Sequence, residues 1–393
     1  MKPDIEIPEL AKTKEFVEFV TPASVSETHR DAWRRLHGTH TGHETVYASP
    51  AFFETLVETQ PADSLLLAFG QSAALGGVSA VAVLRMREQL LDPHGLAGIV
   101  MRNRMHMWAL SGSEPLLASA KGTVEGLAGF LCGLADAPGH FDAFELQSVE
   151  VGSLPWKAVT ESDALRRKFF VYMPNGVRAC HLTPLPESIE AYLAQFPRKK
   201  RYNLQRQLRQ IAENLGGEAE VVPLDTEATI DQLAESVRLI DADEAHLLSR
   251  AEYVALARQG LLLNFVVRAG GQPVAVILGI PTGKTYRINK VMYAHRLSPY
   301  SPGTSTLHLM NEWFIADGRF RQLDFGFGEP ARSYSSSNTT VDRARVILLR
   351  RTLFNRAALI AHRAIVSFER FARQAQKRIR QQRESLKVAK EPA

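Results

Sequence analysis

A short segment, Ser301-Pro-Gly-Thr304, combines residue types that begin helices with residue types that admit an anion. Ser301 can cap a helix, Pro302 suits its first position, and Gly303 lets a ligand approach the backbone closely. The unpaired N–H groups at such a helix start, with the positive end of the helix dipole, form a pocket for pyrophosphate. The segment therefore predicts a phosphate site, while a helix start that binds nothing is the plainer interpretation.

Elements with clear periodicity surround this segment. Residues 285–295 have the pattern of a strand, residues 304–317 that of a helix ending at Gly318, and residues 321–327 that of a second strand. Upstream, two more strand patterns flank a hairpin signature at residues 269–272. The expected order of strand, turn, helix and strand would hold the start of the helix at one end of a sheet.

Other residues with chemical potential are better explained by structural roles. His37, His40 and His43 follow one another at three-residue steps, and three imidazoles could converge on a metal ion. Steps through glycine and threonine do not fix ligand geometry, so we expect a solvated loop and no metal site. Cys132 and Cys180 are too few for a disulfide framework, and their apolar neighbours indicate buried thiols in a reducing compartment.

Length and composition indicate a soluble globular protein of two domains and an appendage. The chain has 393 residues, of which 45% are hydrophobic and 23% charged. Its first 16 residues lack the apolar core of a signal peptide, and no apolar run reaches the ~18 residues that span a membrane. These patterns favour a cytoplasmic location.

Charge is distributed unevenly along the chain. The segment from Arg343 to Lys390 holds 14 lysines and arginines against 2 acidic residues, a local balance of +12. Because the whole chain carries +5, the remainder carries −7. Residues 346–382 have helical period, with apolar residues among the arginines, which predicts a long basic amphipathic helix. We expect this helix either to pack on the body or to lie on an anionic membrane surface.

An ordered set of motifs carries a resemblance to a known family. The set comprises Gly271-Gln-Pro-Val-Ala275, Ser301-Pro-Gly303, Gly318 and Asp324-Phe-Gly326, with further matches at Tyr47-Ala-Ser-Pro-Ala-Phe52 and in the basic stretch 198–206. In this order the motifs resemble the CelD/BcsL-type acetyltransferases. That group is a branch of the GNAT superfamily associated with bacterial cellulose and exopolysaccharide biosynthesis, and it is distantly related in fold to the FemAB transferases. The resemblance spans roughly residues 45–335.

The resemblance implies a donor site for acyl-CoA. In GNAT folds the fourth and fifth strands separate, and the pantetheine arm lies in the wedge between them like an additional strand. Residues 285–295 would be the fourth strand and residues 321–327 the fifth. The donor would contact the fourth strand and the helix start through Val291, Tyr293, Ser301, Gly303 and Thr304. No tightly bound cofactor is expected, since acyl-CoA or an acyl carrier protein is itself a substrate.

The same resemblance implies residues for proton transfer. GNAT enzymes usually transfer the acyl group directly, so a base takes a proton from the acceptor while backbone N–H groups polarise the thioester. Asp324 and Glu329 are the candidates for this base or for positioning the acceptor, and Tyr334 for the acid that protonates the leaving group. A carboxylate that caps the turn at Gly326 is the alternative for Asp324. The family's Tyr-Lys pair is incomplete here, because Ser335 follows Tyr334.

A basic helical stretch between Arg198 and Arg209 holds six basic residues and no acidic one. A solvated helix face is the plain interpretation. The functional interpretations are docking of CoA phosphates, of an acidic carrier protein, or of an RNA acceptor stem. RNA is the least favoured, because no RNA-binding module with interleaved aromatic residues is present. The candidate docking residues are Lys199, Lys200, Arg201, Asn203 and Arg206.

We therefore expect an α/β (α+β) protein with two GNAT-like mixed-sheet domains in tandem and a basic C-terminal helix. The expected parts are a GNAT-like domain at residues 1–182, a GNAT domain with the donor site at residues 183–345, and the helix and tail at residues 346–393. The predicted reaction transfers an acyl group to an amine or hydroxyl, in exopolysaccharide or small-molecule biosynthesis. The alternatives are FemAB-like transfer of an aminoacyl group from charged tRNA and a catalytically silent scaffold for a membrane synthase.

Overall fold

One mixed β-sheet runs through the whole protein. The computed structural model describes residues 16–40, 45–72, 76–91, 104–118, 122–327 and 339–388, and its sheet has 14 strands. The strands are β1 (Phe16–Val20), β2 (Leu65–Ser72), β3 (Gly77–Leu90), β4 (Arg104–Leu110), β5 (Leu116–Leu117), β6 (Ala143–Glu150), β7 (Phe169–Tyr172), β8 (Arg178–Pro184), β9 (Ala219–Leu224), β10 (Asn264–Ala269), β11 (Gln272–Thr282), β12 (Thr285–Tyr293), β13 (Gln322–Asp324) and β14 (Thr339–Arg350).

Helices cover the faces of this sheet, and several of them begin at a residue whose side chain caps the helix. Ser49 and Ser249, for example, each accept a hydrogen bond from the backbone N–H three residues later. The helices are α1 (Glu27–Gly38), α2 (Pro50–Thr59), α3 (Val124–Gly133), α4 (Leu154–Glu161), α5 (Asp163–Lys168), α6 (Ile189–Ala194), α7 (Arg198–Leu215), α8 (Ile230–Leu239), α9 (Arg250–Arg258), α10 (Pro302–Asp317) and α11 (Leu353–Val388).

The two halves of the chain repeat one order of elements. In the first half β1 is followed by two helices, then β2, β3 and β4, then α3 and β6. In the second half β9 is followed by α8 and α9, then β10, β11 and β12, then α10 and β13. In both halves the fourth and fifth strands of this series pair in parallel, whereas their other neighbours are antiparallel. The predicted α/β class with tandem mixed sheets is confirmed.

The last strand of the chain returns to the first half. β14 pairs with β6 through Arg343–Leu349 and with β8 through Thr339–Arg343. Its C-terminal end also pairs with β7. The strand order where the two halves meet is therefore β4-β6-β14-β8-β13-β12. β8 and β14 thus join the two halves into one sheet, and we call this junction the seam.

Three local predictions are corrected by this arrangement. The turn signature Pro174-Asn175-Gly176 predicts a hairpin over residues 169–182, but β7 and β8 each pair with β14 instead of with each other. The helical period of residues 188–214 predicts one helix, but the structure has two, α6 and α7, and α7 begins directly after Pro197 because proline cannot continue a helix. The helix predicted from residue 346 begins at Leu353, since residues 346–349 are buried apolar positions of β14.

Separate apolar clusters support the two halves. α1 and α2 pack on one face of the first half through residues such as Trp33 and Phe53, and α3 to α5 cover the opposite face. In the second half, Phe265, Tyr286 and Phe314 lie at the centre of the core. Among the described helices, none is both long and apolar enough to cross a membrane.

Candidate donor and acceptor sites

A wedge opens between β12 and β13. The two strands pair in parallel only at Thr285–Arg287, opposite Gln322–Asp324, while β12 continues to Tyr293. The chain then turns away from β12, because the N–H of Phe325 donates to the carbonyl of His181 on β8 at 3.0 Å. Among the described residues, no strand therefore pairs with this edge of β12 at residues 288–293, where an extended ligand could pair with the strand.

A β-bulge lies at the mouth of the wedge. Leu278 of β11 pairs with Lys290, and the next residue, Gly279, pairs with Ile288, so Asn289 is the additional residue of β12. A bulge turns the backbone and its N–H groups away from the regular ladder. The fourth strand thus has irregular backbone at the point where its edge becomes free.

The first residues of α10 lie next to the end of β12. Ser301 has a left-handed backbone with φ 52°, and its carbonyl accepts from the N–H groups of Thr304 and Ser305 at 3.1 and 3.2 Å. The predicted side-chain cap by Ser301 is wrong, since its hydroxyl makes no capping hydrogen bond. A Cβ on Gly303 would lie 3.4 Å from the ring of Tyr293. The structure therefore brings Tyr293 and Gly303 together.

Val291 has a different environment from Tyr293. It packs against an apolar cluster that contains Tyr192, Leu204 and Leu307, between α7 and α10. The side chain of Tyr293, in contrast, is 36% exposed and lies beside the helix start. Of these two predicted donor contacts, Tyr293 lies beside the helix start, whereas the side chain of Val291 packs into the apolar cluster.

The basic helix α7 runs beside the segment that leads into α10. Asn214, near its end, donates to the hydroxyl of Tyr300 at 3.3 Å. At the beginning of α7, Lys200 is half-buried with its ammonium 4.5 Å from the ring centre of Phe196, and burial lowers its pKa. Asn203 is half-buried as well, whereas the other predicted docking residues, Lys199, Arg201 and Arg206, are exposed.

Asp324 is a buried, fully engaged carboxylate. One oxygen accepts from the N–H of Gly326 at 2.7 Å, and the other accepts from Nη1 of Arg343 at 2.7 Å. Asp324 and Arg343 are each 1% exposed. This geometry favours a structural role for Asp324, as a carboxylate that caps the turn and neutralises a buried guanidinium. Glu329 and Tyr334 lie outside the described residues.

A second cavity, of about 430 Å³, lies between the two halves. One wall is formed by Tyr47, α2 and the end of β3, and the other by α9, β11 and β12. Its polar lining includes Arg85 and Arg87 from the first half and Glu252, Asn264 and Lys290 from the second. Asn289 and Lys290 place this cavity at the bulge of β12, next to the wedge.

The part of the chain that forms the wedge is similar in sequence to a known protein family. Residues 198–332 match the protein family described as an acetyltransferase (GNAT) domain. The matched segment contains α7, β9 to β13 and α10, the same elements that form the wedge and the helix start. This part of the chain is thus similar to a GNAT acetyltransferase domain. The prediction of an acyltransferase is thereby confirmed, and GNAT domains take their acyl group from acyl-CoA.

Solved structures extend the likeness beyond the GNAT domain. A crystal structure of FemX superposes with a TM-score of 0.53 at 10% sequence identity, covering 83% of this chain and 96% of that chain. A tandem GNAT protein from the clavulanic acid biosynthesis pathway (12% identity, TM-score 0.49) covers 85% of this chain and 98% of its own. The structure of L-PGS from Bacillus licheniformis (12% identity, TM-score 0.48) covers 85% and 96%. No curated protein is significantly similar in sequence.

At 10% sequence identity the likeness to FemX concerns the fold, and it extends over both halves of this chain.

The histidines and cysteines have structural environments. His40 Nδ1 lies 2.8 Å from the carbonyl of Leu36, and its Nε2 accepts from the N–H of Leu117 at 3.2 Å. His43 lies outside the described residues. Burial raises the pKa of both the Cys132 and Cys180 thiols, which makes them less reactive. No group of three or more histidine, cysteine or acidic residues placed to hold a metal occurs in the described ranges.

The cavity between the halves was not found from the sequence. Its most informative local signal is Arg85-Met-Arg87, which follows directly on the buried apolar residues 81–84 of β3. Two arginines two positions apart lie on the same face of a strand. Burial, with Coulombic repulsion from Arg87, lowers the pKa of Arg85 to about 10, so its guanidinium stays charged at neutral pH.

Proposed function

We propose that this protein transfers an acyl group from acyl-CoA, or from an acyl carrier protein, to an amine or hydroxyl of a small acceptor. The observation that carries the proposal is the wedge between β12 and β13 beneath the start of α10, inside the matched GNAT domain. The pantetheine arm pairs with the free edge of β12 at residues 288–293. The pyrophosphate lies at Ser301, Gly303 and Thr304, where the helix dipole favours negative charge.

The chemistry is a direct displacement at the thioester. The acceptor nitrogen or oxygen bonds to the carbonyl carbon, the C–S bond breaks, and CoA leaves as a thiolate that takes up a proton. The irregular backbone at Asn289 supplies N–H groups for the oxyanion that forms in between. We assign the acceptor's proton to Glu329 and the leaving group's proton to Tyr334. Asp324 acts as a positioning residue that fixes the turn after β13.

Exposed cations of α7 support docking of the donor. Lys199, Arg201 and Arg206 are exposed on the N-terminal half of α7, and the C-terminal end of the same helix contacts Tyr300, just before the pyrophosphate site. Their charge complements the phosphates of CoA or the acidic surface of a carrier protein. Arginine suits phosphate in particular, because its planar fork donates two N–H groups at once.

A substitution of Gly303 tests the donor site. Gly303→Asp places a carboxylate where the pyrophosphate binds, so we expect the affinity for acetyl-CoA, measured by calorimetry, to fall at least tenfold. Gly303→Ala is the matched control, because its Cβ would meet Tyr293 at 3.4 Å, an ordinary contact, without adding charge. Unchanged affinity in a folded Gly303→Asp variant would refute the donor assignment.

Charged tRNA is the competing donor. If aminoacyl-tRNA, and neither CoA nor acyl-CoA, raises the melting temperature, the protein is a FemAB-like aminoacyltransferase, since a ligand that binds only the native state must stabilise it. If none of these stabilises the protein, the catalytically silent scaffold replaces both enzymatic proposals. We favour acyl-CoA because the GNAT match covers the wedge itself.

The C-terminal helix supports a place of action at the inner face of a cell membrane. α11 contacts the body through Leu359 and through His362, whose Nδ1 lies 2.6 Å from the hydroxyl of Tyr172. Five of its large apolar side chains are solvent-exposed, namely Leu353, Phe354, Ile360, Phe368 and Phe371, whereas Ile365 and Val366 are half-buried. Exposed aromatic residues within a basic helix are typical of association with anionic lipid. An acceptor on the pathway to an exopolysaccharide would be available there.

A further inference from the structure

We propose that the cavity between the two halves binds the acceptor substrate through an oxyanion group, a carboxylate or a phosphate, held by Arg85 and Asn264. This inference rests on the proposed acyl transfer and adds the chemical class of the acceptor. The cavity is separate from the pyrophosphate site at the start of α10. Its volume of about 430 Å³ suits a small molecule.

The charge of the lining favours an anion. Arg85 and Arg87 enter from β3, and Lys290 enters from β12 of the other half. Within the described parts of the chain, none of the three forms an ion pair, and the carboxylates of Glu145 and Glu252 attract Arg85 only from a greater distance. Nε of Arg85 is buried without a hydrogen-bond partner among the described residues. Buried cations are ordinarily paired, so a missing partner here points to a ligand.

The acidic residue of the lining is already engaged. Glu252 accepts from the N–H and the hydroxyl of Ser249, both at 2.8 Å, in the capping box that begins α9. Its carboxylate is therefore held by the helix start. His246, also in the lining, is exposed. The cavity thus keeps a net positive charge.

Asn264 provides an independent sign of a ligand. It is 2% exposed, and its Oδ1 accepts from the N–H of Gly279 at 3.1 Å. Because that neighbour is a donor, the orientation of the amide is fixed and Nδ2 must be the group left over. Nδ2 is buried with no partner among the described residues, and Asn264 lines the cavity. An oxyanion oxygen in the cavity would accept the hydrogen bond that this buried N–H group does not make within the described protein.

The position of the cavity fits acyl transfer. Asn289 and Lys290 lie both in its lining and at the bulge of β12, whose free edge forms the wedge. An acceptor anchored by its oxyanion at Arg85 can therefore present a separate amine or hydroxyl toward the bulge. The donor approaches the same strand from the wedge. The two halves would each supply part of the acceptor site, Arg85 from one and Asn264 from the other.

Binding of simple oxyanions tests the inference. Inorganic phosphate and succinate are titrated separately into the full-length Gly303→Asp variant, in which the pyrophosphate pocket is blocked, and binding is followed by calorimetry. We expect one of the two anions to bind, which identifies a phosphate or a carboxylate as the recognised group. Combining Arg85→Gln with Gly303→Asp should weaken the binding of that anion about tenfold or more, since a charge-assisted contact is lost.

Two further variants separate the binding role from folding. Asn264→Asp keeps the acceptor for Gly279 but replaces the free donor with a negative charge, so it should also abolish oxyanion binding. Arg258→Gln is the control. Arg258 also lies between the two halves, but it is paired with Glu58 at 3.5 Å and Glu227 at 2.9 Å. We expect this variant to bind as before.

The outcomes are distinguishable from failure of the donor site. No binding of either anion, or equal binding in folded Arg85→Gln and Arg258→Gln proteins, overturns the acceptor inference. Neither result affects acetyl-CoA binding by the wild-type protein. Conversely, if the Gly303→Asp variant still binds acetyl-CoA, the donor assignment is wrong. If the Arg85→Gln substitution then abolishes oxyanion binding, the acceptor inference is still supported.

Discussion

Nη1 of Arg343 lies 2.7 Å from Oδ2 of Asp324, and both side chains are buried where the two halves of the sheet join. Arg343 belongs to β14, which completes the sheet of the first half, whereas Asp324 ends β13 of the GNAT domain. Glu150 of β6 lies 3.9 Å from the same guanidinium. The pair therefore links the seam of the sheet to the turn at Gly326, beside the donor wedge.

Removal of one partner of this pair should destabilise the protein strongly. Asp324→Asn leaves a buried guanidinium without its main counter-charge, and we expect the free energy of unfolding in urea to fall by about 3–5 kcal/mol. Combining Asp324→Asn with Arg343→Met should recover part of that loss, because no uncompensated charge then remains. Full stability of Asp324→Asn together with a loss of turnover would instead make Asp324 a catalytic residue.

The cations of α7 should govern donor affinity in a salt-dependent way. The triple variant Lys199→Gln/Lys200→Gln/Arg201→Gln should weaken acetyl-CoA binding several-fold at low ionic strength, and the difference should shrink at about 0.5 M salt. The control is Arg166→Gln/Arg167→Gln/Lys168→Gln, which removes an equally charged, exposed triplet at the end of α5. Equal affinity of the two triple variants would exclude donor docking on α7.

His308 should make the stability fall with decreasing pH. Its side chain is buried in α10, with Nδ1 3.0 Å from the hydroxyl of Tyr192, and burial lowers its pKa from 6.5 to about 4. Between pH 6.5 and 4 the unfolded chain therefore binds the proton and the folded protein does not, so folding loses up to about 3 kcal/mol. Above pH 6.5 the contribution is fully present.

Glu312 opposes this dependence and supplies a control. Its carboxylate lies 3.5 Å from Nε2 of His308, and burial raises its pKa, so its own contribution is present at low pH and lost as pH rises. We expect His308→Gln to be less sensitive than the wild type to a change from pH 7 to 4.5, and Glu312→Gln to be more sensitive, in urea unfolding. Parallel pH profiles for the wild type and His308→Gln would contradict the assignment.

The exposed side of α11 should bind anionic vesicles. Phe368 and Phe371 are 63% and 70% exposed. Phe368→Ser/Phe371→Ser should therefore reduce co-sedimentation with phosphatidylglycerol vesicles, while phosphatidylcholine vesicles should bind neither protein. Val177→Ser/Leu239→Ser removes two other exposed apolar side chains and should change nothing. Equal sedimentation of both double variants would argue against a lipid-facing role for α11.

Much of the donor side could be predicted from the sequence because its signals are local. The strand at residues 285–295, the turn with Gly303 and the helix ending at Gly318 are set by period, proline and glycine within about 35 residues. The ordered motifs added the GNAT architecture, and the family match at residues 198–332 agrees with it. The sequence alone thus determined the class of fold and the place of helix α10.

Only the tertiary structure decided how the two halves share their strands and side chains. The apolar run of β14 satisfies a helical as well as a strand pattern, and its partners β6 and β8 are more than 150 residues earlier. For the same reason, no local sequence pattern predicts that Asp324 pairs with Arg343, or that Arg85 and Asn264 line the same cavity. Side-chain period fixes which face a residue occupies, whereas the partner across that face is set by long-range packing.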